Sequence, residues 1–390
     1  MKGLTLDITN LTILLAGIYI HIPFCKQACH YCDFHFSTSR NVFGSLVNCI
    51  KEELKLRRDS LVNIPVTTVY FGGGTPSLLS ASEIDSILNT IGSHYDLEQS
   101  AEITLEANPD DLTREYLHQL VRTGVNRLSI GIQSFQPPVL SWMNRVHSTE
   151  QASTCLKTAQ GVGFENISVD LIYGIPIPEY DIETDLMKVL EFQPQHISAY
   201  NLTIESATVL GTRLRKGLLE EIPEEVAADS FLMVMDRLKS KGYLHYEISN
   251  FALPGKESRH NLGYWNGKPY LGIGPSAHSF DGENRQYNLA NNSGYIKSIQ
   301  NGYPSFEREE LTAEQRINEM IMLGLRTSEG VQLYLQHGEF SWDLEKQNPK
   351  QLEYLVSNHF ALIRENRLIL TDRGKLIADR IAADLFIETS

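Results

Sequence analysis

Three of the chain's five cysteines, Cys25, Cys29 and Cys32, fall within eight residues in the stretch YIHIPFCKQACHYCDFHFS. Thiolates bind soft or borderline metals, and three crowded at C-x3-C-x2-C spacing do not suggest a framework of disulfides. Three thiolates cannot complete a tetrahedral structural zinc site, so zinc here would recruit His30 or His35 as a fourth ligand. A [4Fe–4S] cluster on the same cysteines would leave one iron without a protein ligand, open to chelation by a small molecule. Both chemistries fit the spacing.

The other chemically able residues are dispersed, and a repeated rhythm explains where they fall. Strands are expected over 17–22, 66–71, 101–107, 125–132, 166–174 and 195–202, each followed by helical sequence. The helices carry apolar stripes, Leu46, Ile50 and Leu54 in the first and Ile84, Ile87, Leu88 and Ile91 in the second. Ser80 or Ser82 is placed to cap the second helix, and Gly124 to end the third in left-handed backbone. Strands each trailed by a helix make parallel βα units, which predicts an α/β fold built on a partial (β/α)6 barrel. In such barrels chemistry sits where strands end. The cysteines follow the first strand and GGGTP follows the second; Glu106 ends the third, Gln133 the fourth, and Asp170 lies in the fifth. Asp170 stands in an apolar strand, where an unpaired charge is costly, so a ligand or a structural arginine is expected beside it.

Past about residue 235 the rhythm changes. The segment HYEISNFALPGKESRHNLGYWNGKPYLGIGPSAHSF is rich in glycine, proline and aromatics, and 236–305 reads as a loop-like connection. Residues 306–390 read as a smaller, mostly helical domain with a winged-helix-like end. Thr312 and Gln315 form a capping box there, and RLILTDRGKLIADRIAADLF gives a strand, a turn and an amphipathic helix. The barrel is expected over 17–235, with 1–16 as a loose extension whose apolar run is shorter than the roughly 20 residues a membrane helix needs. A net charge of −14 argues against nonspecific nucleic-acid binding, which needs basic groups to displace phosphate counterions. Cysteine usage suits a cytoplasmic protein.

With Tyr31 just before the third cysteine, the motif resembles the radical S-adenosylmethionine (SAM) signature. From about Gly17 onward the chain resembles radical SAM proteins of the oxygen-independent coproporphyrinogen III oxidase group, and within it the HemW-type haem chaperones. The resemblance implies a radical SAM barrel with a [4Fe–4S] cluster on Cys25, Cys29 and Cys32. It implies SAM contacts at Tyr19, Tyr31, Gly73, Gly74, Thr75, Glu106, Gln133, Arg145 and Asp170. Glycines would let backbone carbonyls approach the methionine ammonium, and Arg145 suits a carboxylate through paired guanidinium donors.

Two features separate the branches of that group. Where the oxidases continue to a fourth cysteine, two residues after Cys32, this chain has Phe34. The chaperones carry H-N-x-x-Y-W, and HNLGYW spans His260 to Trp265. The resemblance implies haem handling there, with His260 as an iron ligand and Tyr264 and Trp265 covering the porphyrin. His278, where the family places a residue near the SAM pocket, is not assigned to a metal. The expected function is therefore a haem chaperone that delivers its cargo to acceptor haemoproteins, respiratory ones among them. A homodimer and peripheral membrane association are further implications. The enzymatic alternative is radical decarboxylation of coproporphyrinogen III; an RNA-modifying radical enzyme and a zinc-binding protein are more distant.

Overall fold

Six parallel strands run side by side through the centre of the molecule. They are β1 (Ala16–Ile22), β2 (Val66–Gly73), β3 (Leu97–Ala107), β4 (Arg127–Gln133), β5 (Ile167–Tyr173) and β6 (His196–Asn201). The structure, a computed structural model, describes residues 15–387. The expected extension over 1–16 lies outside the described residues apart from Leu15 and Ala16, and Ala16 already opens β1.

Connections run through α1 (Phe43–Leu56), α2 (Ala81–His94), α3 (Arg114–Thr123), α4 (Pro137–Trp142), α5 (Thr149–Val162) and α6 (Ile182–Leu190). After β6 come α7 (Val209–Arg215) and α8 (Glu224–Ser240). Alternation along the strands decides the two faces. Leu128, Ile130 and Ile132 of β4 join the main apolar core with Leu46, Ile50 and Leu54 of α1. The intervening Arg127, Ser129, Gly131 and Gln133 face inward around a cavity. The helix ends follow local chemistry. Ser80 makes a capping box with Glu83, Thr312 makes one with Gln315, and Gly124 ends α3 at φ +93°.

The segment read as a loop-like connection turns out to widen the sheet. β7 (Leu244–Glu247) and β8 (Asn250–Ala252) add antiparallel strands beyond β6. After α9 (Arg259–Trp265), β9 (Tyr270–Ile273) pairs parallel to β1, and β10 (His278–Phe280) and β11 (Asn284–Asn288) continue outward. Then α10 (Asn292–Gln300) precedes β12 (Phe306–Glu310). Residues 306–310, expected with the C-terminal unit, are thus an edge strand of the twelve-stranded main sheet.

One buried carboxylate ties this flank to the barrel. Glu53 of α1 accepts hydrogen bonds from the Gly274 amide (2.9 Å), Asn288 Nδ2 (2.8 Å) and the Tyr295 hydroxyl (2.7 Å). It also pairs with Arg57, which donates to the Gly272 carbonyl and to Gln286. Removing the carboxylate leaves a buried guanidinium without its counter-charge and takes the acceptor from the Gly274 amide and the Tyr295 hydroxyl. Glu53→Ala is therefore expected to lower unfolding free energy by about 3–5 kcal/mol, read from urea denaturation. A midpoint close to wild type would contradict this role.

The C-terminal unit has its own core, which includes Ile317, Ile321, Leu325, Leu352, Leu368 and Ile381. It is built on α11 (Ala313–Leu325), further helices over Pro349–Ser357 and Ala378–Asp384, and two small sheets. These are β13 (Val331–Gln332) with β16 (Ala361–Arg364) and β17 (Arg367–Leu370), and the hairpin β14 (Tyr334–His337) with β15 (Phe340–Asp343). The Arg326 guanidinium lies 5.4 Å from the Trp265 ring centre, joining this unit to α9.

Candidate functional site

A cavity of about 390 Å³ runs through the barrel from the C-terminal strand ends downward. Cys25, Cys29, Tyr31 and Cys32 line its mouth. Gly73, Gly74, Thr75 and Glu106 line one wall, and Gln133, Arg145 and Asp170 another. Of the SAM residues expected from sequence, Tyr19 does not reach this lining. It stands behind Tyr70, with ring centres 6.1 Å apart, and its hydroxyl meets His21 Nδ1 at 3.2 Å.

The cysteine loop is pinned from several sides. The Lys26 ammonium pairs with Asp110 at 2.6 Å and also with Asp111. Asn144 donates to the Ala28 carbonyl at 2.7 Å, and Gln27 donates to the Asn144 carbonyl at 3.0 Å. His30 engages the Trp142 carbonyl through Nδ1 (2.8 Å), and His35 engages Asn292 through Nε2 (2.8 Å). Each bond engages one ring nitrogen of a histidine weighed as a fourth zinc ligand. Burial raises the Cys25 thiol and pushes Cys32 up to about 11. Arg145 Nη1 donates to Cys29 Sγ at 3.4 Å. The three thiols line one lip of the cavity, but among the described residues no three histidine, cysteine or carboxylate side chains converge closely enough to hold a metal ion, so the loop would have to draw them together around a cluster.

The glycine loop serves packing as well as access. Gly73 has φ +107°, and a Cβ there would lie 2.6 Å from the His21 ring. A Cβ on Gly74 would lie 2.6 Å from the Phe24 carbonyl oxygen, one residue before the first cysteine. Glu106 accepts from the Tyr70 hydroxyl (2.8 Å) and the Gly73 amide (3.2 Å). Burial nevertheless pushes its carboxyl up to about 7, against those two donors and with the Asp170 charge adding to the rise.

Gln133 is a non-glycine residue at φ +67°, beside a register shift between β4 and β5. Such backbone costs of order 1–3 kcal/mol and persists where surroundings impose it. Asp170 is also raised by burial. Serines offset part of that rise, Ser198 foremost, with Ser129 donating at 3.2 Å and Ser168 at 3.4 Å, and the Arg127 charge adds to them. Sequence reading missed Asn108, which accepts from Arg145 Nη2 (2.7 Å) and donates to Thr75 (3.3 Å). The available signal was alternation, since Asn108 stands two residues beyond Glu106.

The H-N-x-x-Y-W motif forms the floor of the barrel. Glu102 accepts from the amides of Arg259 (3.2 Å) and His260 (3.1 Å), and the Ser258 side chain caps α9. His260 is 3% exposed; Nδ1 meets the Thr68 hydroxyl at 2.7 Å and Nε2 the Tyr264 hydroxyl at 2.8 Å. Its ring stacks on Tyr70 at 5.0 Å, and burial holds its pKa down to about 3. The ring is neutral, as a metal ligand must be, yet both nitrogens have protein partners. The expected presentation to haem iron is absent from this conformation. His278 lies exposed on β10 against Tyr287.

A radical SAM superfamily model matches residues 19–189, and a HemN C-terminal domain model matches residues 311–377. The heme chaperone HemW of Lactococcus lactis is 36% identical over 362 residues, covering 91% of this chain and 93% of its own. That of Bacillus subtilis is 35% identical over 372 residues, covering 94% and 98%. Among solved structures, coproporphyrinogen III oxidase (HemN) from Escherichia coli shares the fold, with a TM-score of 0.80 at 22% identity. The match covers 96% of this chain and 90% of that one.

Proposed function

Because the chain belongs to the HemW family of radical SAM proteins, we propose that it is a haem chaperone. In this reading it takes up haem and passes it to acceptor haemoproteins, respiratory ones among them, while holding a [4Fe–4S] cluster and SAM at the barrel mouth. The observation that supports it is the match to heme chaperones over more than nine-tenths of both chains. Cys25, Cys29 and Cys32 would hold the cluster, which when bound supplies an open iron for SAM and an electron for its cleavage. The protein's own groups would orient the ligand. Arg145, fixed by Asn108 and the Gly131 carbonyl, is set to receive a carboxylate. Glu106, fixed by Tyr70 and the Gly73 amide, is set to accept from an ammonium. A cytoplasmic location, a homodimer and loose membrane association belong to the same proposal. Among the described residues no helix is long and apolar enough to cross a membrane.

Decarboxylation of coproporphyrinogen III is the rival, and one experiment separates the two. Protein with a reconstituted cluster is supplied with SAM, a strong reductant and coproporphyrinogen III; in parallel, the haem-loaded protein is mixed with an apo-globin. Transfer of haem without protoporphyrinogen is the expected result. Protoporphyrinogen formed in step with 5′-deoxyadenosine would overturn the chaperone reading.

Haem ligation by His260 carries a condition, that Tyr264 release Nε2 or Thr68 release Nδ1. Tyr264→Phe removes one competing bond, worth about 1 kcal/mol net, and is expected to tighten haem about fivefold. His260→Ala should weaken it. Absorbance titrations that find both variants equal to wild type would remove His260 from the site.

A further inference from the structure

Below the mouth, the barrel encloses a cation with no counter-charge in contact. Arg127 opens β4 and is 2% exposed. Its Nη1 donates to Asn166, its Nε has no partner, and it makes no ion pair among the described residues. Thr104, its neighbour in the β3–β4 register, also buries a hydroxyl without a partner. Arg127 lines the same cavity as the mouth residues, which reaches down to Ser258 and Asn261 on the floor. A guanidinium kept this dry and this incompletely bonded is costly unless something else completes it.

Arg127 lies at the opposite end of β4 from the mouth. Arg127 and Gln133 bound β4, and six residues of strand span about 20 Å. Charge selects the class of occupant. The Asp170 carboxylate, cradled by Ser129 and Ser168, shares the chamber and would repel a dianionic phosphate. A single carboxylate balances a single guanidinium and matches its planar fork of donors. We propose that Arg127 anchors the carboxylate of a second ligand inside the barrel, between the mouth residues and α9. This holds whether or not the cargo is haem.

Propionate is the probe, with propionamide as its neutral counterpart and chloride matched throughout. Thermal unfolding and calorimetric titration of the full-length protein should show a saturable rise in Tm with propionate and none with propionamide. Arg127→Gln should weaken propionate at least tenfold. Arg127→Lys, which keeps the charge and loses the fork, should weaken it about fivefold, and it decides the matter if the glutamine variant does not fold. Equal responses to propionate and propionamide would overturn the proposal. So would an unaltered propionate response in the arginine variants, which would mean that Arg127 only balances Asp170 across the chamber.

Discussion

Gly74→Ala is expected to cost the protein its iron–sulfur cluster although no ligand is touched. The Gly74 amide donates to the Ile22 carbonyl at 2.9 Å, which seats the end of β2 against the turn that launches the cysteine loop. A Cβ would meet the Phe24 carbonyl oxygen at 2.6 Å, the Phe24 nitrogen at 2.8 Å and the Ile22 carbonyl oxygen at 2.9 Å. All three are backbone atoms, so no side chain can swing aside. Phe24 must move, and Cys25, bonded to it, is pulled against the hydrogen bond that holds its amide to the Ser37 carbonyl on the far side. Overpacking of this kind costs about 1–3 kcal/mol. Here the strain falls on the relative placement of the three thiols. After parallel anaerobic reconstitution, iron and sulfide content of the variant should be less than about half of wild type, with Cys29→Ser marking complete loss. Gly92→Ala is the control, because nothing lies within 4 Å of the added carbon in α2. It should gain about 0.5–1 kcal/mol of stability and keep its iron. A full iron complement in Gly74→Ala would show that the loop tolerates displacement.

What the sequence discloses, and what it withholds, divides along the range of the interactions. The six barrel strands and their helices are legible because alternation, stripes and caps are written within a few residues. Thr312 with Gln315 is found as expected, and of the two serines offered as a cap for α2 it is Ser80 that is used, paired with Glu83 three residues on. The strands over 244–310 are short, three to five residues each, and set among glycine and proline turns. Several pair with their neighbours in sequence, but the join to the barrel is long-range: β9 lies against β1 some 250 residues earlier, so local pattern carries no trace of it. Arg127 is hidden for another reason. In VNRLSIGI an arginine at a strand start reads as a solvated end, and only closure of the sheet shows it facing inward. His260 combines both cases. The motif is recognisable by resemblance, but its partner Thr68 is 192 residues away, and that contact decides which ring nitrogens are occupied.

Glu106→Gln should separate stability from binding, and pH provides the diagnostic. In the folded chain burial raises the Glu106 carboxyl from its ordinary 4.5 to about 7. An acid raised by folding is penalised when it ionises, so the penalty is absent below pH 4.5, grows between 4.5 and 7, and is constant above. Its full size is about 3 kcal/mol. Glutamine removes the charge, but its single carbonyl oxygen cannot satisfy both Tyr70 and the Gly73 amide as the carboxylate does. That loss returns about 1 kcal/mol. Without SAM, the variant should therefore be the more stable protein by about 2 kcal/mol at pH 8. Wild type should draw level or slightly ahead near pH 4.5. Denaturant titrations at the two pH values measure this, and a difference independent of pH would mean that Glu106 ionises as an exposed carboxylate does. Binding should move the other way. A carboxylate receiving an ammonium is worth about 1.5–3 kcal/mol, so SAM affinity of the reconstituted variant should fall by about 10–100-fold. Wild-type affinity should rise with pH up to about 7 as Glu106 ionises, and the variant's should not. A gain in apo stability paired with a loss of ligand binding marks a carboxylate kept at a binding site despite its cost to the fold.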